Sequence, residues 1–338
     1  MYKSQSSFQN SIFGDYAFRS IIDRNQSHLL VRLNKSIDLS FIEDVVSDCY
    51  CHDNGRPAYH PVMMFKILFL QTLYNESDED IMEAVDANIL FRHFVGLSLE
   101  DEVPDRTLLG KFRARLGEDR FEGIFNRIVR LAVEAGMVDN RLRLIATTAI
   151  KADVDLYRCK KDKWDDNDKT YIDRNTTDPD ASTGRKSVHA IWYGYKSGIE
   201  LDPVSDIVTA VTTTTAKEAD VGHLRPLSEQ DKRNAGQPKR LCADKGFVGE
   251  DVYLKENKIM NNVIRRDNMK KPRRLSYYLD KIVRPIMEHK FAEGKKNHGL
   301  GKARYRGRWR VHIQSLLVYI TMNLKKIVNS LCPIEAKQ

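Results

Sequence analysis

Two carboxylates stand out in this chain by where they fall. Asp244 closes the short apolar run of "KRLCADKGF" (239–247) and is followed by Lys245 and Gly246. An acid at the end of a buried strand, beside a glycine that lets the backbone turn, is placed to face a cleft. Glu288 lies in "IVRPIMEHKFAEG" (282–294), with Arg284, His289 and Lys290 around it. Its bland reading is an intrahelical pair with Arg284, worth a few tenths of a kcal/mol. Its chemical reading comes from its company. Residues 258–312 hold seventeen Lys/Arg against four Asp/Glu, a local balance of +13, whereas the whole chain is only +8. A block of that density repels itself unless it is solvated or meets a polyanion, and nucleic acid is the commonest such partner. A carboxylate inside such a block is unusual, though spacing alone favours the intrahelical pair.

Strands and helices must hold these acids in place. The texture from 141 onward is strand-like: "RLRLIATTAI", then "VHAIWYGYKSG" and "SDIVTAVTTTT" divided by a turn at "SGIELDPV", then "KRLCADKGF" and "NNVIRR" (261–266). A polar insertion spans 153–187. Pro285 sets the start of the helix that carries Glu288. Before 139 the pattern is helical. A helix begins at Pro61 and is apolar almost all round, hence central to a bundle. Ser77 caps the next, with Asp80 three residues later. Asp105 caps another, lined by Leu108, Leu109, Phe112 and Leu116 and ended by Gly117; a last one runs over 120–136. The organisation expected is an arm with short helices (1–58), a helical DNA-binding region (59–138) and a catalytic region (139–330). Lys111, Arg113 and Arg115 lie off the apolar stripe of their helix and are expected to face DNA.

Five ordered blocks then carry a resemblance: "PVMMFKILFLQTLYNESDEDIMEAV", "FRHFVGLSLEDEVPDRTLLGKFRARL", "DPDASTGRKSVHAIWYGYK", "CADKGF" and "RPIMEHKFAEGKKNHGLGKARYRGRWRV" with its later "YITMNLKKI". Over roughly 55–330 the chain resembles bacterial insertion-sequence transposases of the DDE type, in the group named for insertion sequence five. The resemblance implies an α/β protein with an RNase H-like catalytic core, a mixed sheet flanked by helices, preceded by the all-α region. It implies two aspartates on adjacent strands and a glutamate on a later helix, together holding two magnesium ions, for which manganese substitutes. The second aspartate falls on Asp244 and the glutamate on Glu288. The first belongs in the strand 141–150, where "ATTAIKAD" puts Ala146 in its place. Asp153 and Asp155 lie past the strand's end, over ~20 Å away if the strand runs straight, and do not substitute. The missing acid reads as a deliberate inactivation or as the loss of a decayed element; the intact neighbouring blocks favour the first.

The chemistry explains the residue types. Phosphodiester cleavage and strand transfer need an activated oxygen nucleophile and a stabilised leaving oxygen, which two divalent ions supply together. Magnesium prefers oxygen ligands, so carboxylates suit it. The resemblance also places Tyr195 and Lys196 of "YGYK" by the site or DNA and Asp202 near the cleft. It gives phosphate contacts to Arg284, Lys295, Lys296, Arg304, Arg306 and Arg308. Trp192, Tyr305 and Trp309 are read as boundary aromatics able to stack on unpaired bases. The partners implied are double-stranded DNA, as terminal inverted repeats and as target, and a second copy of the chain on paired ends. The competing readings are a non-catalytic DNA-binding relative, favoured by Ala146 itself, and another magnesium-dependent nuclease, disfavoured by the helical region. No N-terminal stretch resembles a signal peptide, and no apolar run is long enough to span a bilayer. Five cysteines without CxxC spacing suggest reduced thiols, and Cys49, Cys51, His52 and His60 are poorly spaced for zinc. A cytoplasmic, nucleoid-associated protein is expected.

Overall fold

The computed structural model describes residues 12–50, 58–155, 177–186 and 191–333. They pack as two compact units, 1–124 with 320–338, and 125–319.

The first unit is helical: α1 (Ile12–Arg24), α2 (Leu29–Ser36), α3 (Phe41–Val46), α4 (Pro61–Tyr74), α5 (Asp78–Ala87), α6 (Ile89–Val95) and the first turns of α7 (Thr107–Glu134). Pro61 occupies the first turn of α4, and ten of its fourteen residues are buried, as expected of a helix apolar on every side. The Ser77 hydroxyl accepts from the Asp80 amide at 3.0 Å and donates to the Asp80 carboxylate at 2.7 Å, which starts α5. The Asp105 carboxylate accepts from the Thr107 amide at 2.8 Å and starts α7. α7 runs through Gly117 instead of stopping there: that residue alone has non-helical angles (φ 65°, ψ −179°) and breaks the rod into two parts. Cys51 and His52 lie outside the described residues, as does most of the polar insertion after 153.

The second unit is the mixed sheet implied by the resemblance. β1 (Arg143–Lys151) pairs antiparallel with β3 (Ile191–Asp202) and parallel with β5 (Arg240–Ala243). β2 (Ser182–Arg185) and β4 (Ile207–Thr215) share the far edge of β3, and the two-residue β6 (Met260–Asn261) extends beyond β5. β6 is much shorter than "NNVIRR" suggests. The turn expected within 197–204 falls later. β3 continues to Asp202, and the chain reverses over 203–206, where Asp206 adopts φ 59°. Gly198 marks a close approach instead: a Cβ there would sit 2.6 Å from Nδ1 of the buried His223. Gly194 (φ 152°) is likewise demanded by space, since a Cβ would meet the Ile150 carbonyl at 2.2 Å.

Helices cover the sheet. Ile145, Ala210, Leu241 and Ala243 form one core with Leu224 and Leu227 of α8 (Leu224–Ala235). α9 (Asp251–Glu256) adds Leu254 to it. α10 (Leu275–Val283) and α11 (Pro285–Asn297) follow, and α11 lies against β1. The first turns of α12 (Arg308–Leu331) bring Tyr319 to Ser197 of β3 at 3.4 Å.

Candidate active site

Strand register brings the sequence-predicted positions together. The β1–β5 ladder pairs Arg143 with Leu241, Leu144 with Cys242 and Ile145 with Ala243. Carried one residue further, it sets Ala146 abreast of Asp244, about 5 Å apart on neighbouring strands. Ile145 and Ala243 point into the core under α8. By alternation, positions 146 and 244 therefore share the opposite face. Ala146 is buried and its methyl group is all that projects there.

The two acids present converge on one cation. The Asp244 carboxylate accepts from its neighbour's amide, Lys245 N, at 2.7 Å and from the Arg284 guanidinium at 3.1 Å. The other arm of the same guanidinium reaches Glu288 at 3.6 Å. Arg284 caps α11, whose first residue is Pro285, so Glu288 sits one turn into the helix and points back at the strand end. The i−4 pair foreseen for Glu288 exists, but its arginine also holds Asp244. Two solvated carboxylates that share one positive charge form an oxygen-only donor set to which a divalent cation is suited. Among the described residues, no group of three or more His, Cys, Asp or Glu could hold a metal ion; with alanine at 146, two acids are what this face offers.

The alternative acids are not near. β1 runs on to Lys151, which pairs with Lys302, and Asp153 forms an ion pair with Lys302 at 2.7 Å. That lysine holds the Asp153 carboxyl below its ordinary range. Asp155 is exposed beyond it. Asp202 ends β3 beside the first residues of β1. It is wholly buried and accepts from the Asp139 amide and the Ser205 hydroxyl, so it caps a turn and faces no cleft.

The basic residues divide into those at the surface and those that build structure. Arg113 is buried: both guanidinium arms grip the Asp78 carboxylate, and one also reaches the Gln71 side-chain oxygen at 3.4 Å. It is a strut of the helical unit and does not face DNA. The helical stripe misled here because a long arginine can reach inward from beside it. Lys111 and Arg115 are exposed, with Arg115 over the Tyr50 ring at 5.0 Å. Tyr195 is buried, and its hydroxyl meets both oxygens of buried Asp178 at 2.7 Å; that bond and the burial raise its pKa far above the ordinary value. Asp178 in turn accepts from the Gly307 amide and Asp180 from the Arg308 amide, which fastens "DPD" to the start of α12. Lys196 is mostly buried and pairs with Asp220.

Lys295, Lys296 and Arg306 are exposed, and Arg304 and Arg308 are half-buried. Lys295 has company that the sequence did not reveal. Partial burial, then Lys186 and Lys151, lower its pKa. The three lysines lie near enough for the other two to disfavour charge on Lys295. They come from β1, from the stretch after β2 and from α11, so linear spacing carried no signal. Trp192 is half-buried and donates to the Tyr195 carbonyl at 3.3 Å, and Trp309 stacks under Arg310.

No helix among the described residues is long and apolar enough to cross a membrane. Residues 18–115 match a transposase domain (DUF772), and residues 166–324 match a transposase DDE domain. Asp244 and Glu288 lie inside the second match, whereas Ala146 lies between the two.

Proposed function

From the premise that this chain is built of two transposase domains, the second of the DDE type, we propose that it acts on the ends of an insertion sequence of the group named for insertion sequence five. In this reading it binds the terminal inverted repeats and is framed for metal-dependent strand cleavage and strand transfer. Ala146 stands where the first of three carboxylates belongs, so this copy binds ends without cutting them. What supports the reading is the register that pairs Ile145 with Ala243 and, carried one residue further, puts position 146 abreast of Asp244, whose carboxylate shares Arg284 with Glu288.

Each residue then has a task. Asp244 and Glu288 are the remaining holders of the divalent ions, magnesium or manganese. Those ions supply an activated nucleophilic oxygen and a stabilised leaving oxygen when bound. Arg284 neutralises the two carboxylates while no ion stands between them and becomes available to a phosphate once one does. Lys295, with Lys151 and Lys186, receives the DNA backbone, helped by Lys296, Arg304, Arg306 and Arg308; Lys196, mostly buried against Asp220, drops out. Lys111 and Arg115 are the candidates for end recognition in the helical unit; Arg113 drops out. Two ends cut in one event call for two copies of the chain.

The absence of an acid at 146 also supports a second reading, a non-catalytic DNA-binding relative, a domesticated or decayed transposase that occupies element ends. Both readings require binding to the terminal repeat. Affinity for a labelled inverted-repeat duplex should exceed that for a scrambled duplex, and should fall steeply as salt rises because several phosphates are neutralised. Equal binding to both duplexes, or affinity unchanged between low and moderate salt, would remove the transposon-end function.

A further inference from the structure

Behind the candidate site, on the other face of β1, one carboxylate touches both strand ends that define it. Asp220 begins a short 3₁₀ turn, Asp220–His223, after β4. Its Oδ1 accepts from the Thr147 hydroxyl at 2.9 Å and from the Lys196 ammonium at 2.9 Å. Lys196 also donates to the Glu218 carbonyl at 2.7 Å, so its head group is fixed at two points. The other oxygen, Oδ2, lies against Gly246: a Cβ built there would stand 2.9 Å from it. Thr147 is the residue after Ala146, and Gly246 is the second residue after Asp244. The turn is itself anchored, because the buried His223 ring meets the Thr212 hydroxyl at 2.6 Å and the Thr214 hydroxyl at 3.0 Å.

The backbone ladder between β1 and β5 ends at Ile145 and Ala243, one residue short of the acid positions. The spacing of positions 146 and 244 therefore depends on what joins the two chains beyond the ladder. Asp220 does so: it hydrogen-bonds one strand end and packs without a gap on the other. Gly246 is required there for space, since its backbone is not in the left-handed region. Thr147 and Lys196 alternate away from Ala146 along their strands, so Asp220 approaches from behind and is not itself a ligand on the Asp244 face.

We propose that Asp220, held by Lys196, is a positioning residue that sets the separation of the first and second metal-binding carboxylates in this fold. The inference rests on the reading of position 146 given above. It differs from a general stabilising ion pair in what it controls, namely metal affinity and not DNA affinity.

The test uses the full chain carrying Ala146→Asp, alone and combined with Asp220→Ala, Asp220→Asn, Gly246→Ala or Lys196→Met. Three quantities are read: free Mn²⁺ by electron paramagnetic resonance during titration, affinity for the terminal-repeat duplex, and its cleavage rate. Asp220→Ala should weaken Mn²⁺ binding at least tenfold and slow cleavage at limiting metal, with DNA affinity within twofold. Asp220→Asn keeps the acceptor oxygen for Thr147 and should stay within about threefold of the background. Gly246→Ala should mimic Asp220→Ala, and combining the two should be no worse than either, because the clash partner is gone. Unchanged Mn²⁺ affinity in Asp220→Ala, or in Gly246→Ala and Lys196→Met should that variant not fold, overturns the proposal. So does an Asn variant as impaired as the Ala variant, which would mark a ligand or a purely electrostatic role. Failure of the Ala146→Asp background to cut counts against the reading of position 146 instead. Asp220 is then still judged on Mn²⁺ binding by the Ala146→Asp chain, where an unchanged affinity in Asp220→Ala overturns it.

Discussion

The same sheet carries charged residues on both faces, and the two faces treat them oppositely. On the face that α8 covers, Arg143, Glu200, Asp202 and Asp231 are all fully buried. Arg143 donates to Asp231 at 3.0 Å and to the Asn140 side chain at 2.7 Å. Both Glu200 oxygens lack a hydrogen-bond partner among the described residues, and burial, then Asp231, push its pKa well above the ordinary value. Burial thus favours the neutral form of Glu200, while Arg143 pairs with Asp231. On the other face, Asp244 and Glu288 are solvated and share Arg284. A buried charge is tolerated only when matched or neutralised, whereas an exposed acid pair keeps its charge for an incoming cation. Carboxylates alone do not mark a site; their access to solvent and to a shared cation does.

That contrast can be broken from the covered face with the largest effect. Arg143→Met leaves Asp231 buried and unmatched, and should cost about 3–5 kcal/mol of stability. Chemical denaturation should report it, while Mn²⁺ affinity of the folded fraction stays unchanged. Next in size is acid sensitivity from His223, whose pKa burial lowers to about 4. The unfolded state binds its proton first, so stability should fall as pH drops from about 6.5 towards 4, by about 2–3 kcal/mol in all. His223→Gln should flatten that part of a stability-against-pH curve. Glu200 works in the other direction. Its raised pKa means that the unfolded chain loses the proton first, so its contribution declines as pH climbs above about 4.5. Glu200→Gln should remove that decline and raise neutral-pH stability by about 1–2 kcal/mol, read as a higher midpoint in urea. Smallest of all, Lys295→Ala should lower the slope of log affinity against log salt by about one phosphate contact, with no change in Tm beyond a degree or two.

Much of the frame was legible because it is local. Pro61, Ser77, Asp105 and Pro285 announce helix starts through backbone chemistry that needs no tertiary context, and each does so here. The β-branched run 143–151 likewise reads as a strand. The acids at 244 and 288 came from ordered blocks and not from spacing, since forty-odd residues separate them. What stayed hidden depends on packing across the sheet. Gly198 looks like a turn residue until His223 is placed against it. Arg113 looks like a surface cation until Asp78 and Gln71 are found beneath it. Asp220 and the lysines around Lys295 are drawn from separate elements, and only the folded sheet makes them neighbours.

The central claim is that position 146 is the vacant first-acid position, and one assay addresses it directly. A labelled duplex containing the terminal repeat and its flank is incubated with magnesium or manganese and three proteins: the unaltered chain, Ala146→Asp, and Ala146→Asp with Asp244→Ala. A restored carboxylate abreast of Asp244 should raise nicking about a thousandfold or more, equivalent to several kcal/mol of barrier, and Asp244→Ala should abolish it again. Cutting by the unaltered chain at the rate of Ala146→Asp would contradict the account and return Asp153 and Asp155 to consideration.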